Sequence, residues 1–201
     1  MEEQFMDEFI VNMIEQNKKN QEDQDRLLED MIEQIKNLHV SLNELDMDMT
    51  ESLFFDGEIK MRIPADFIKM PAKAAKVKYP VESRPQIIYM DKKDSVNIGL
   101  NHTQENVKEE DVVSVRDYMI AAYSAVNPAS KITDKGHFMS GEHAIAYYSF
   151  ENFVIGGQMY NLVFILSLKG KLFACNLNCL KKDTERMKPL FYGIMKTTEA
   201  L

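Results

Sequence analysis

The sequence has few cysteines and few glycines, and each scarcity argues against a class of protein. Its two cysteines, Cys175 and Cys179, lie four residues apart in a segment with the pattern of a β-strand. Four residues of extended chain separate the Cα atoms by roughly 13 Å, which is too far for a disulfide. A Cys-x3-Cys strand also lacks the tight turn of a zinc site, so we predict two buried thiols and no metal. The eight glycines form no phosphate-binding or dinucleotide motif, so we predict no cofactor.

Long hydrophobic runs and a secretion signal are also missing. The longest apolar run, Leu162 to Leu168 with a serine inside, is far shorter than the about 20 residues that cross a bilayer. The acidic start, Met1-Glu2-Glu3, lacks the basic and apolar regions of a signal peptide. We therefore expect a cytoplasmic protein without a membrane span, in a compartment that keeps thiols reduced.

The net charge of −8 is distributed unevenly along the 201 residues. Residues 1–50 contain 14 acidic and 4 basic residues, whereas the rest of the chain contains 18 acidic and 20 basic residues. The excess of negative charge therefore belongs to the N-terminal quarter. Because phosphates would be repelled by this segment, we do not expect nucleic acid as a partner.

The apolar residues from Leu28 onward follow a heptad pattern with steps of three and four. Such spacing lines one face of an α-helix. We predict an acidic helical or coiled-coil arm over residues 1–48, formed by one long helix or by a helical hairpin that turns near residues 17–20. The candidate partner-binding residues are Leu28, Met31, Ile35, Leu38, Leu42 and Leu45.

Two alternatives remain open for this heptad face. It could pair with another helix in a coiled coil, or it could pack against the chain's own domain. A second apolar set, Phe5, Met6, Phe9 and Met13, also suits an adaptable contact surface. Repulsion between two identical acidic arms counts against a parallel homodimer.

Residues 52–201 are predicted to form one α+β domain, with a mainly antiparallel sheet packed by helices. A hairpin around Asp56-Gly57 opens the domain, and two further strands flank a polar turn over residues 91–94. An amphipathic helix follows the acidic residues 109–111 and stops at Pro128. Its apolar stripe consists of Val112, Val115, Met119, Ala122 and Val126.

The last third of the sequence predicts a strand meander and a final helix. Strands are expected over residues 143–150, 159–168 and 172–179. Residues 162–166 are apolar at every position, which is typical of a central strand covered on both faces. A helix that begins near Thr184 is expected to bury Met187, Leu190, Phe191 and Ile194.

Short motifs in this order resemble the Mog/PsbP-like fold family. An early hairpin ends at Ile63-Pro64, Gly170 lies at a turn of the final meander, and a helix closes the chain. Between them come the motifs Lys78-Tyr79-Pro80, Arg84-Pro85-Gln86-Ile87-Ile88-Tyr89 and Val96-Asn97-Ile98-Gly99. The resemblance covers roughly residues 52–201 and does not include the arm.

This family includes a photosystem II extrinsic subunit, a Ran-binding import factor, and bacterial DcrB-type and secretion-chaperone proteins. The resemblance implies a domain that binds proteins and is not an enzyme. The sequence departs from the family where a tryptophan is expected near the start of the last helix, because Met187 occupies about that place. No family residue with a defined chemical role matches a position of this sequence.

One motif could carry chemistry, but its setting does not fit. Asp46-x-Asp48-x-Thr50 matches the D-x-D-x-T motif of haloacid-dehalogenase-type phosphatases, in which the first aspartate is the nucleophile. That chemistry needs the motif at the end of a buried parallel strand, and the Gly-Asp-x-x-x-Asp metal motif is missing. His137 and His143 flank Ser140, but the sequence has no G-x-S-x-G motif.

These observations together predict a non-enzymatic protein-binding or scaffolding module. Its arm would mediate oligomerisation or bind a partner, which is a second copy or a basic or hydrophobic helical client. One alternative is a cytoplasmic chaperone or adaptor for a secreted or membrane-inserting client, consistent with the 14 methionines. The least favoured alternative is a phosphatase that uses residues 46–50.

Overall fold

The computed structural model describes residues 2–80, 84–154 and 157–201, with the backbone alone for residues 2–12. In chain order, the helices and strands are α1 (Glu2–Lys36), β1 (His39–Leu42), β2 (Leu45–Phe54), β3 (Ile59–Pro64), β4 (Ile68–Lys69), α2 (Ala72–Lys78), β5 (Ile87–Met90), β6 (Val96–Asn106), α3 (Val112–Val126), β7 (Lys131–Ser140), β8 (His143–Val154), β9 (Gly157–Leu168), β10 (Lys171–Leu180), α4 (Thr184–Lys196) and β11 (Glu199–Ala200).

Two antiparallel sheets carry the fold. The smaller sheet has the strand order β1-β2-β3-β11, and the larger has the order β4-β5-β6-β10-β9-β8-β7. Each pair of neighbouring strands is antiparallel. This confirms the predicted α+β class, and the helix that precedes the sheets is continuous rather than a hairpin.

Strand β9 lies inside the larger sheet and is covered on both faces, as its sequence predicts. Leu162 and Phe164 face a core that also contains α4, the smaller sheet and the C-terminal end of α1. Val163 and Ile165 face a second core beneath α3. The two faces alternate because successive side chains of a strand point to opposite sides.

Helix α4 confirms the predicted apolar face, whereas α3 confirms only part of its stripe. Met187, Leu190, Phe191 and Ile194 are all buried. In α3, Val112, Val115 and Met119 pack on the second core, but Ala122 and Val126 are exposed. The helical repeat continues from Met119 to Tyr123, whose ring centroid lies 4.4 Å from that of Phe150.

The prediction of a helix up to residue 48 is wrong beyond Lys36. The backbone of Leu38 is left-handed, with a φ of 61°, and β1 begins at the next residue. Asn43 and Glu44 have φ values of 53° and 61°, and they connect β1 to β2 as a two-residue turn. Positive φ at both central positions is the geometry of a type I′ hairpin. Residues 39–54 therefore belong to the smaller sheet.

Strand β7, which the sequence pattern does not predict, forms one edge of the larger sheet. Its residues alternate between exposed and half-buried along the whole strand. Because no position is fully buried, its sequence contains few of the apolar residues that signal a strand. None of the helices in the described part of the chain is both long and apolar enough to span a membrane.

Candidate functional site

Helix α1 is divided into an anchored segment, residues 27–36, and a projecting segment, residues 2–26. In the anchored segment, Met31 and Ile35 are fully buried in the main core, and Leu28 packs against it. The Gln34 side-chain carbonyl accepts a hydrogen bond of 2.7 Å from the Ser41 backbone N–H. The C-terminal end of the helix is therefore part of the domain.

Gly193 of α4 permits this close packing. A Cβ atom built on Gly193 would lie 2.6 Å from Ile35 Cδ1 and 3.0 Å from Met31 Cγ. Both distances are shorter than ordinary van der Waals contact between carbon atoms. The glycine therefore sets the distance between α1 and α4.

We expect Gly193→Val to destabilise the protein by about 1–3 kcal/mol, because the added side chain overpacks the contact with Ile35. In an Ile35→Ala background, the same substitution should cost clearly less, since the space at residue 35 has been vacated. Urea denaturation of the two single variants and the double variant measures this coupling. If the losses of unfolding free energy in the two single variants simply add in the double variant, Gly193 and Ile35 do not compete for the same space.

The projecting segment has a different environment. Every described side chain from Met13 to Arg26 is exposed, including the apolar Met13 and Ile14, each with 51% of its surface accessible. At a rise of 1.5 Å per residue, residues 2–26 extend for about 37 Å. This segment therefore offers an apolar surface that no described part of the chain covers.

The six residues predicted to bind a partner are split between three elements. Leu28, Met31 and Ile35 lie on α1, Leu42 lies on β1, and Leu45 is buried on β2. Leu38, in the turn after α1, is 40% exposed. The structure therefore does not form one continuous seam, and Met31, Ile35 and Leu45 pack against the chain's own domain.

A second feature is a pocket of about 310 Å³ between α2, the edge strand β4 and its neighbour β5. We call it the basic pocket, because Lys69, Lys76 and Arg84 line it and none of its described lining residues is acidic. Met70 and Ile88, both buried, contribute apolar surface, and Ala72 and Ala75 are the small residues of α2 that border it.

Two of the basic residues that line the pocket, Lys69 and Lys76, are available to bind a ligand. Neither Lys69 nor Lys76 forms an ion pair with any residue that the structure describes, whereas Lys78 bonds Asp94 and Asn97. The sequence signal for the pocket is the run from Lys69 to Lys78, which contains four lysines and no acidic residue. The run alone does not predict a site, because short charged runs are usually solvated surface.

The D-x-D-x-T segment lies within β2 and not at the end of a buried parallel strand. Asp46 and Asp48 are exposed, and His39 of β1 lies between them, with its Nδ1 2.9 Å from Asp48 Oδ1 and its Nε2 3.4 Å from Asp46 Oδ1. Strand β2 is antiparallel to both of its neighbours. This setting does not provide the enclosed nucleophile that a phosphatase of that class needs.

The other candidate catalytic side chains bond different groups, although Ser140 and His143 are paired across the hairpin of β7 and β8. His143 Nδ1 lies 2.7 Å from Glu109 Oε1, whereas Ser140 donates a hydrogen bond to the Thr198 carbonyl. His137 is exposed on β7. Within the described residues, no three His, Cys, Asp or Glu side chains are grouped so as to hold a metal ion.

Cys175 and Cys179 are free and buried, which confirms the prediction of two core thiols. Burial raises the pKa of the Cys175 thiol well above its usual value. Burial, together with the nearby charge of Asp183, raises the pKa of Cys179 to about 12. Both side chains therefore remain protonated and unreactive in the folded protein at neutral pH.

We expect the protein to lose stability above about pH 9. Burial raises the pKa of Tyr148 and of Tyr160 from 10.0 to about 12, and that of Cys179 from 9.0 to about 12. The unfolded chain therefore loses these protons at a lower pH than the native protein does. Because the unfolded state then binds fewer protons, the free energy of unfolding falls as pH rises.

Urea midpoints measured from neutral pH to pH 11 test this dependence. Tyr160→Phe should make the alkaline decline shallower, and Tyr118→Phe, at a position with 74% exposure, should leave it unchanged. A midpoint that stays constant up to pH 11 would contradict the prediction.

Comparison with known proteins identifies the fold. No protein-family model matches the sequence, and no curated protein matches it. Among solved structures, the cyanobacterial PsbP protein CyanoP from Synechocystis is similar, with a TM-score of 0.58 and 11% identity over 82% of this chain and 99% of that one. LpqN, which is involved in cell envelope biogenesis of Mycobacterium tuberculosis, has a TM-score of 0.48 and 15% identity over 76% of this chain and 90% of its own.

The chain therefore has the PsbP-like fold that its sequence motifs predict, preceded by a long helix. At 11% identity, the likeness to CyanoP shows the fold alone. The matched 82% corresponds to about 165 of the 201 residues, more than residues 52–201 contain. The shared fold consequently includes part of residues 1–51, in agreement with the place of β1 and β2 in the smaller sheet.

Proposed function

We propose that the chain is a non-enzymatic protein-binding module whose docking element is the projecting segment of α1. The observation that supports this most directly is the contrast within one helix. Residues 31 and 35 are fully buried, whereas every side chain from residue 13 to 26 is exposed. A helix held rigidly at one end presents its free end to a partner with little further loss of backbone entropy.

The composition of the projecting segment defines the partner surface. Residues 2–15 contain five acidic residues and no basic residue, together with the apolar residues that include Met13 and Ile14. A complementary surface therefore combines an apolar patch with Lys or Arg at its rim. A second acidic helix of the same kind is a poor match, because like charges would face each other along its length.

The non-enzymatic part of the proposal is supported by the exposed position of Asp46 and Asp48 on an antiparallel strand. It is also supported by the bonding of Ser140 to the Thr198 carbonyl and of His143 to Glu109, rather than to each other. The cytoplasm remains the predicted location. The chain would act there as a binding protein, and the chaperone role for a hydrophobic client is one form that this binding could take.

A photo-crosslinking amino acid in place of Met13 tests the docking role in the native cell. We expect an adduct of one defined mass, which disappears when Ile14→Asp is added to the same protein. The control places the crosslinker at Val126, which is 76% exposed at the end of α3. Identical adducts from both positions, or an adduct that survives Ile14→Asp, would contradict a docking role for this segment.

A further inference from the structure

The basic pocket is out of keeping with the charge of the chain as a whole. The protein carries a net charge of −8, yet the sequence from Lys69 to Arg84 contains five basic residues and a single acidic residue, Glu82. Of the neighbouring carboxylates, Asp94 bonds Lys78, and Asp66 lies 3.9 Å from Lys92. Lys69 and Lys76 are therefore available to bind a negatively charged group that does not belong to the described residues.

The shape and lining of the pocket fit a short segment of protein. A volume of about 310 Å³ holds a few side chains and not a whole helix. Its apolar surface comes from Met70, Pro85 and Ile88, and its rim carries Lys69, Lys76 and Arg84. Ala72 and Ala75 leave room for a helix to approach α2 closely. The best ligand therefore offers one or two apolar side chains next to carboxylates.

The projecting segment has this combination. Met13 and Ile14 are exposed apolar side chains, Glu15 follows them directly, and Asp7 and Glu8 lie two turns earlier in the sequence. We propose that the basic pocket of one copy binds the projecting segment of α1 from a second copy, with Met13 or Ile14 entering the pocket. This inference rests on the docking role proposed above and specifies the surface to which the segment binds.

Such a contact joins two different surfaces of the protein. If each copy inserts its α1 into the other, the result is a dimer with twofold symmetry, whereas head-to-tail insertion continues as a chain of copies. In both cases the acidic segment meets cations rather than a second acidic helix, which removes the repulsion that disfavours a parallel coiled coil. Because the attraction is largely electrostatic, added salt should weaken it.

Complementation between two variants tests the proposal by sedimentation velocity on the full chain. The arm variant, Met13→Lys with Ile14→Lys, keeps an intact pocket, and the pocket variant, Lys69→Glu with Lys76→Glu, keeps an intact arm. We expect the wild type to associate as its concentration rises and each variant alone to remain monomeric. A mixture of the two variants should regain association, because one supplies the arm and the other the pocket.

The matched control reverses two exposed lysines outside the pocket, Lys108→Glu with Lys131→Glu, and should associate like the wild type. The substituted residues of the arm and pocket variants are exposed, so circular dichroism should show unchanged folding. A wild type that stays monomeric at every concentration would overturn the inference, as would a pocket variant that associates like the wild type. The crosslinking experiment at Met13 is sensitive to any partner, so a monomeric wild type leaves the proposed docking role standing.

Discussion

Deletion of residues 1–51 is expected to leave residues 52–201 unfolded or aggregated. The deletion removes five apolar side chains that are buried in the main core: Met31, Ile35, Val40, Leu45 and Met49. Loss of one such side chain typically costs about 2–5 kcal/mol, and the whole stability of a domain is about 5–15 kcal/mol. The combined loss exceeds what a domain of this size can sustain.

Deletion of residues 1–24 is the matched control. It removes only residues of the projecting segment, and Asp25 is then well placed to cap the shortened helix. We expect its thermal midpoint to be close to that of the full chain, whereas the longer deletion should show no cooperative transition by circular dichroism. A cooperatively folded fragment 52–201 would show that residues 1–51 form a separate unit, as the sequence initially predicts.

The same substitution at two positions of α1 is expected to have very different effects on stability. Ile35→Asp places an unpaired carboxylate in a fully buried site and should destabilise the protein by about 4 kcal/mol or more. Ile14→Asp, at a residue that is 51% exposed, should change stability by no more than about 0.5 kcal/mol. Only Ile14→Asp should give a folded protein that no longer binds a partner through α1.

Equilibrium urea denaturation of the two variants measures the difference directly. Similar midpoints for both proteins would mean that Ile35 is not part of the core. A large loss of stability in Ile14→Asp would mean that the projecting segment packs against the domain in solution. Either result would remove the division of α1 on which the proposed function depends.

The sequence predicts the larger sheet well because its inner strands carry strong signals. Residues 162–166 are apolar at every position, and only a strand covered on both faces buries them all. The hairpin at Asp56-Gly57 and the apolar face of α4 are equally visible, since turn residues and helical spacing are local properties. These elements are sufficient for the PsbP-like motifs to be recognised.

The end of α1 is harder to predict because two periodicities coincide. Leu38, Leu42 and Leu45 continue the heptad steps of the helix, although they lie in a turn and in two different strands. The segment Leu45-Asp46-Met47-Asp48-Met49 alternates strictly between apolar and acidic residues, which is a strand pattern. The intervening turn uses Asn43-Glu44 without a glycine, so the usual hairpin signal is missing.

The basic pocket could not be predicted from local sequence, because it depends on long-range packing. Its lining residues come from β4, α2, β5 and the residues before β5, and Pro85 is positioned by close contact with Gly99 of β6. A run of lysines shows where positive charge lies but does not show whether the surface is concave. The burial of Met31 and Ile35 against α4 depends in the same way on Gly193, which is more than 150 residues away in sequence.

The division of α1 into an anchored and a projecting segment is tested most directly by residue-resolved hydrogen exchange on the dilute full chain. We expect the amides of residues 31–36 to exchange only when the whole protein unfolds, like those of the central strand β9. The amides of residues 13–24 should exchange much faster, because no tertiary contact of the described chain protects this part of the helix. Uniformly slow exchange along all of α1, or fast exchange at residues 31–36, would contradict this account.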